Sequence, residues 1–545
     1  MKNTKRLPSL LILPVVIGLA TSVTGCNAFV PGEADTDSLD VTVDTSGVTI
    51  EMWTGFGSKI TTVLEEEILP EFTKKTGIKV KHESKGGYPN LLKAINLAST
   101  SGSFPNIANG YPDHFASYIK SNILLRLDGL LKNDEKRGEM DGAYTQKVNG
   151  TEVKFGPDRI MLMNYEDFYK DYTVENETLE YKEDGSGYVL GVPFNKSTEV
   201  MVYNSRFFEW AASRDDLKDK IYVPVTWSDV KSVGLEIINL LKPGFKSETG
   251  TAGKILADNG NWYASTGEVT SAGAKVVMNM TAVMESEFRP FTYDAMANLF
   301  ITLVRQYGAT YTEVDKASTG RGYVTFNDAN NKEKVTEAMT MLKDLLDSKI
   351  MGIPDLYNDL YCSSAFKTYK SVINVGSTAG LSNITSTTIP TKCAPIPVKD
   401  ENHKFVISQG TSLGLFNKGT EKEKVAAWKL MIFLSQQFNG EFTAQTGYYP
   451  TCSFSYNSTA YQAYLNSEFK SDTEILEQAS ADVNSSIYNG AGKNWTKFVD
   501  PGFRGSADIR EAVELVPGYL MTDSSADAVE KTLKKVYDSL IDYQK

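Results

Sequence analysis

VTIEMWTGFGSKITTVLEEEILPEFTKKTGIKVKHE, residues 48–83, carries the periodicities that decide the fold. Val48–Trp53 alternates apolar and polar residues, as a half-buried strand does. From Lys59 to Lys75 the apolar positions are Ile60, Val63, Leu64, Ile68 and Phe72, the spacing of one helix face, and Gly77 closes the run. Ile78–Glu83 alternates again. Strand, helix and strand in succession predict an α/β sheet. Outward from this unit, Leu91–Ser99 reads as a helix and Pro105–Tyr111 as a short buried strand. Tyr188–Asn204 has strand character, and Trp227–Leu241 and Asn331–Leu346 are amphipathic helices. Thr420 and Glu423 form a capping box that opens a helix to Gln436. Val529, Leu533, Val536, Tyr537, Leu540 and Ile541 mark a last helix that packs on a sheet. Gly142–Gly187, polar, acidic and tyrosine-rich, reads as a surface insertion, and Lys242–Gly273 as a loop or a second insertion. No internal repeat is visible.

With 545 residues, 41% of them hydrophobic, the chain can bury two or three cores. A net charge of −12 argues against nucleic acid as a partner. Aromatic residues make up 11% of the chain, enough to fill cores and still offer flat faces to a ligand. At the N-terminus Lys2, Lys5 and Arg6 precede the apolar run Leu7–Ala20, which Pro8, Pro14 and Gly18 interrupt. That run is short of the ~20 residues of a spanning helix and has the form of a secretory signal. Val23-Thr24-Gly25-Cys26 resembles the lipobox of bacterial lipoproteins. The resemblance implies a signal peptide over residues 1–25, lipidation of Cys26 and attachment to the membrane. Residues 26–47, rich in Asp, Ser and Thr, then read as a flexible linker. Cys362, Cys393 and Cys452 remain; at most one pair can be bridged, so the fold does not depend on disulfides.

Catalytic patterns fare poorly. Gly410-Thr411-Ser412-Leu413-Gly414 fits G-x-S-x-G, but strand alternation continues past Ser412 where a nucleophile elbow requires a helix. His82, His114 and His403 all precede Ser412, against the order that motif needs. Three dispersed histidines and three dispersed cysteines give no metal cluster. Asp328-Ala329-Asn330-Asn331-Lys332 places a lysine where a calcium loop needs oxygen. Gly490-Ala491-Gly492-Lys493-Asn494 lacks the first glycine and the final hydroxyl of a phosphate loop. Neither a cofactor nor a metal is expected.

Four segments carry a resemblance: IEMWTGFG (50–57), GVPFNKSTEVMVYNSRFF (191–208), PVTWSDV (224–230) and QTGYYPT (445–451). Together, and in this order, they resemble the extracellular solute-binding proteins of ABC importers, in the carbohydrate-binding cluster. The resemblance implies a two-lobe, periplasmic-binding-protein-like (Venus-flytrap) α/β fold with a hinge and an interlobe ligand cleft. Residues 48–193 and 394–446 would form lobe one, and residues 194–393 and 447–545 lobe two. It further implies a monomer, not an enzyme, that captures a carbohydrate outside the cytoplasm and delivers it to an ABC permease with its ATPase subunits.

Within that cluster the chain is most similar to the glycerol-3-phosphate-binding proteins, whose contacts carry over by motif. Lys85-Gly86-Gly87-Tyr88 gives Tyr88, Pro193-Phe194-Asn195-Lys196-Ser197-Thr198 gives Ser197, and Gly376-Ser377-Thr378-Ala379-Gly380 gives Ser377. Gly410, Tyr448 of the TGYYPT signature, and Arg504 in Gly502-Phe503-Arg504, followed by Asp508-Ile509-Arg510, complete the set. The family's acid after the strand-end tyrosine falls on Pro112, with Asp113 one residue late. Its tryptophan-rich segment has no counterpart around residues 274–306. An oligosaccharide or sugar-like ligand is therefore expected, with a phospho-polyol as the alternative and a carbohydrate-active surface lipoprotein enzyme as the rival class. Trp53, at the end of the first strand, either stacks on a sugar or fills the core. Short hydroxyls, tyrosines and an arginine fork suit ligand oxygens.

Overall fold

A computed structural model describes residues 33–315, 320–384, 388–466 and 495–544, with the side chains of 382–383 left aside. The signal peptide, Cys26 and the Gly490–Asn494 stretch lie outside the described residues.

The opening unit forms as its pattern requires. Thr49–Thr54 and Lys79–Ser84 are parallel strands in register from Thr49↔Lys79 to Thr54↔Ser84. Between them helical structure runs from Ser58 to Thr76, with a π turn at Leu64–Ile68, and stops at Gly77 in the left-handed conformation (φ 74°). Ile107–Gly110, wholly buried, adds the next strand beside Thr49–Thr54.

Two long strands join the halves of the molecule. Val192–Asn204 and Phe405–Leu415 pair antiparallel, from Ser408↔Thr198 to Leu413↔Val192, with a register shift between Thr411 and Ser412. At one end Ser412–Leu415 pairs with Ile107–Gly110. At the other, Glu199–Tyr203 pairs with Ile373–Ser377, which also borders Phe291–Tyr293. Ten strands thus form one continuous sheet. Nearly every residue of Val192–Asn204 is buried, because neighbouring strands and helices cover it on both faces.

Separate cores form at the two ends. One gathers Ile50, Met52, Phe72, Ile107, Leu413 and Trp428. The other gathers Met201, Trp227, Phe291, Leu299, Leu342 and Ile509. Two cores about one pair of crossing strands make the two-lobed α/β fold. The helix Trp227–Leu241 starts from a capping box at Thr226 and Asp229, and Glu421–Ile432 from the expected box at Thr420 and Glu423.

Three expectations need revision. Residues 33–47 do not trail as a tether: Val41 is in the first core, Thr36 Oγ1 donates to the Arg126 carbonyl (2.6 Å), and Lys429 Nζ donates to Thr45 Oγ1. Short polar residues satisfied by a neighbouring surface dock as well as apolar ones. The supposed surface insertion 142–187 carries the hairpin Tyr144–Phe155 and a helix, Lys170–Glu177, that buries Tyr172, Glu175 and Asn176 against the crossing strands. Residues 255–279 build a three-stranded sheet and a short helix, rather than an open loop. Cys362, Cys393 and Cys452 are buried, and no disulfide joins them. Among the described residues no helix is long and apolar enough to cross a bilayer.

Candidate functional site

Alternate residues of a strand face opposite ways, so Asn195, Ser197 and Glu199 share one face of the crossing strand and Lys196 and Thr198 the other. The two faces hold different networks.

On the first face, near lobe one, Asn109 Nδ2 donates to Thr411 Oγ1 (3.1 Å), whose hydroxyl donates to Asn195 Oδ1. Asn195 Nδ2 in turn donates to Tyr88 Oη (3.3 Å). Tyr88 begins the helix Tyr88–Ser99 directly after Gly86 and Gly87, both at positive φ (70° and 136°), a path open to glycine at little cost. Its ring meets Tyr111 edge-on at 4.9 Å. Tyr448 follows the left-handed Gly447, lies parallel to Phe442 (6.2 Å between centroids) and hydrogen-bonds with Tyr88 and Asn195. Burial holds the phenols of Tyr88, Tyr111 and Tyr448 above their ordinary range, so all three stay protonated. Tyr361, 60% exposed, acts on Tyr111 and Tyr448.

Toward lobe two the same face becomes charged. Glu199 accepts from Tyr293 Oη (2.5 Å) and Asn298 Nδ2 (3.0 Å). Arg510 donates to Asn298 Oδ1 and, through Nη1, to Asp500 Oδ2 (2.6 Å); Tyr311 Oη also donates to Asp500. Asp113, from the first turn of Pro112–Lys120 in lobe one, acts on both Arg510 and Tyr311. Burial pushes Glu199 up to about 7 against the pull of Tyr293, Asn298 and Arg510. Asp294 is pushed up to about 6 by burial, although the Cys362 amide (2.8 Å) and Asn374 Nδ2 (3.4 Å) donate to it.

On the opposite face Lys196 and Glu175 form a fully buried ion pair. Ser412 Oγ donates to Glu175 Oε1 (3.0 Å) and accepts from Asn176 Nδ2 (2.9 Å). The serine of the hydrolase-like pattern is thus held mid-strand by a packing network.

The residues singled out from sequence distribute unevenly. Tyr88 and Tyr448 meet in the neutral network, and Asp113 acts on the charged one. Ser197 is buried on the crossing strand, paired with Gln409. Ser377 ends its strand and caps the turn after it through Ala379 N (3.3 Å). Gly410 is required by packing: at φ 98°, a Cβ there would stand 1.9 Å from the Asn195 carbonyl oxygen. Trp53 packs on a lobe-one core, and Lys85 Nζ covers its ring at 3.6 Å, so that face is taken. Arg504 is a correction: it is exposed, its amide donates to the Gly320 carbonyl (3.0 Å), and its charge acts on Tyr543 near the C-terminus. The guanidinium that meets buried carboxylates is that of Arg510. Arg504 precedes the helix Ser506–Glu514, and Arg510 lies within it. Tyr111, Asn195, Glu199, Tyr361 and Asp500 also belong to these two networks. Strand alternation along Asn195–Glu199 is the signal from which two of them could have been found.

The sequence profile of the bacterial extracellular solute-binding protein family matches residues 67–474. No curated protein matches the chain in sequence. Solved structures with this fold include an ABC substrate-binding protein of Listeria monocytogenes, Lmo0181, in complex with cycloalternan. It is 14% identical, covers 91% of this chain and 98% of its own, and has a TM-score of 0.59. The sugar-binding protein MalE of Xanthomonas citri is 14% identical over 91% of this chain and 98% of its own, at 0.58. UgpB of Mycobacterium tuberculosis, in complex with glycerophosphocholine, is 16% identical over the same shares, at 0.57.

Proposed function

We propose, from the premise that this chain belongs to the bacterial extracellular solute-binding protein family, that it captures a carbohydrate between its lobes and delivers it to an ABC permease. The observation that carries the carbohydrate reading is the pairing of Arg510. Its Nη1 donates to Asp500 and its Nη2 to Asn298, and Asp113 adds negative charge near it. A guanidinium already compensated by carboxylates is a poor partner for a phosphate. Beside it stand phenols and amides, the groups that pair with sugar hydroxyls and cover the apolar faces of sugar rings. Tyr88, Tyr111, Tyr448, Tyr361 and Asp113 are the side chains we assign to the ligand. Ser197, Ser377 and Gly410 shape the hinge.

The same reading takes residues 48–193 and 394–446 as lobe one, and 194–393 and 447–545 as lobe two, closing about the crossing strands. It holds the protein as a monomer, anchored by lipid at Cys26, with no catalytic step of its own. Thermal shift against malto-oligosaccharides, cyclic glucans, xylo-oligosaccharides and glycerol phosphates tests the ligand class. At ~100 times its dissociation constant the true ligand stabilises by about 2.7 kcal/mol. Stabilisation by glycerol phosphates alone would overturn the carbohydrate reading. Release of shortened glycans would favour the enzyme. Cys26→Ala should free the protein from the membrane fraction; retention would sink the anchor.

A further inference from the structure

A second cavity lies behind the charged wall of the crevice. It encloses about 230 Å³ between the helix Met296–Gln306 and the segment Phe498–Pro501. Ile301, Val304, Ala309, Phe498, Val499 and Pro501 make it largely apolar. Tyr311 divides it from the crevice: its ring lines the cavity and its hydroxyl donates to Asp500 on the far side.

Two polar groups in this wall are unsatisfied. Arg305 ends the helix with its guanidinium 5.1 Å from the centre of the Phe405 ring and 5.9 Å from that of Phe498. These contacts place the ion against two aromatic rings. Arg305 Nε is buried without a hydrogen-bond partner, and among the described residues no carboxylate stands within ion-pair distance of it. Thr312, 4% exposed, also lines the cavity, and its Oγ1 is buried without a partner. A buried donor with no acceptor costs about 1–3 kcal/mol, so two in one cavity mark a place for a ligand oxygen.

We propose that this cavity is a second binding site, for a small organic carboxylate whose apolar body fills the pocket and whose oxygens meet Arg305 and Thr312. The guanidinium edge matches a carboxylate in two parallel hydrogen bonds, and the threonine hydroxyl supplies a third donor. The volume holds roughly eight waters at about 30 Å³ each and lies under the about 300 Å³ at which drug-sized pockets begin. That sets the ligand at a single ring or a short branched chain. The site is independent of what the crevice binds.

Benzoate is the probe, titrated into the full-length protein by calorimetry, with benzyl alcohol as its uncharged counterpart. Saturable benzoate binding is expected, with benzyl alcohol weaker by about tenfold or more. Arg305→Gln should weaken benzoate by about tenfold, and Thr312→Val by a smaller factor, with far-UV circular dichroism unchanged. Should Arg305→Gln fail to fold, Thr312→Val, nearly the same shape, decides alone. Absence of saturation at millimolar benzoate, equal binding of the alcohol, or binding unchanged in the variants would each overturn the site.

Discussion

At the lobe-one end of the crossing strand Asn195 joins Asn109, Thr411, Tyr88 and Tyr448 in a neutral chain of hydrogen bonds. Four residues on, Glu199 joins Tyr293, Asn298, Arg510 and Asp500 in a charged one. Both networks grow from one face of one strand, yet they answer to different physics. Amides and phenols keep their partners at any physiological pH, so the neutral half is a rigid, pH-indifferent surface that presents rings and hydroxyls. The charged half is a balance between burial, which disfavours every ion in it, and the single cation that keeps the carboxylates company. It is also the half that spans the crevice, since Asp113 reaches toward Arg510 from the opposite lobe.

Removing that cation should have the largest effect. Arg510→Met leaves Asp500 and Glu199 without it in a buried setting, a loss of about 3–5 kcal/mol. Because the Arg510 side chain is 28% exposed, the lower end is expected. Urea denaturation reads this directly; a loss under about 1 kcal/mol would mean that water already screens the cluster.

Next comes pH. Burial raises the Glu199 carboxyl from 4.5 to about 7, so between those values the folded protein holds a proton that the unfolded chain has released. Stability from this group is complete below about pH 4.5 and is lost as pH rises through 7. Over that window the loss is on the order of 2–4 kcal/mol. Glu199→Gln should flatten it, and a wild-type thermal midpoint that rose between pH 5 and 7 in excess of the variant's would contradict the sign.

A smaller change is expected in the neutral half. Tyr88→Phe deletes one hydroxyl and leaves Asn195 and Tyr448 short of a partner, about 0.5–1.5 kcal/mol at every pH between 5 and 8. A pH-dependent loss would erase the contrast between the halves. Smallest of all is Arg504→Ala: neither thermal midpoint nor ligand affinity should move, and a lost affinity would bring Arg504 back to the crevice.

Much of the frame was readable in the chain. The strand–helix–strand of residues 48–83, the capping box at Thr420, the helix from Trp227 and the strand character before Asn204 are local patterns, and each formed within a few residues of its expected bounds. The turns before Tyr88 and Tyr448 were readable as well, because Gly86, Gly87 and Gly447 take positive φ. Elsewhere composition misled. Residues 142–187 looked like surface, yet Glu175 is buried, because Lys196 on a distant strand compensates its charge. Residues 33–47 looked like a tether, yet dock through contacts with residues far along the chain.

The arginines mark the boundary between the two kinds of knowledge. By itself the sequence determined the α/β alternation, the helix ends and the left-handed glycine turns, since those follow from backbone sterics and side-chain spacing within a dozen residues. Which guanidinium, Arg504 or Arg510, meets buried carboxylates was decided only by tertiary structure. Both sit in the same short stretch with similar neighbours, but the cost of burying a charge depends on the carboxylates that meet it. For Arg510 these come from Asp500, Glu199 and Asp113, on three elements that only the folded sheet and its helices bring together.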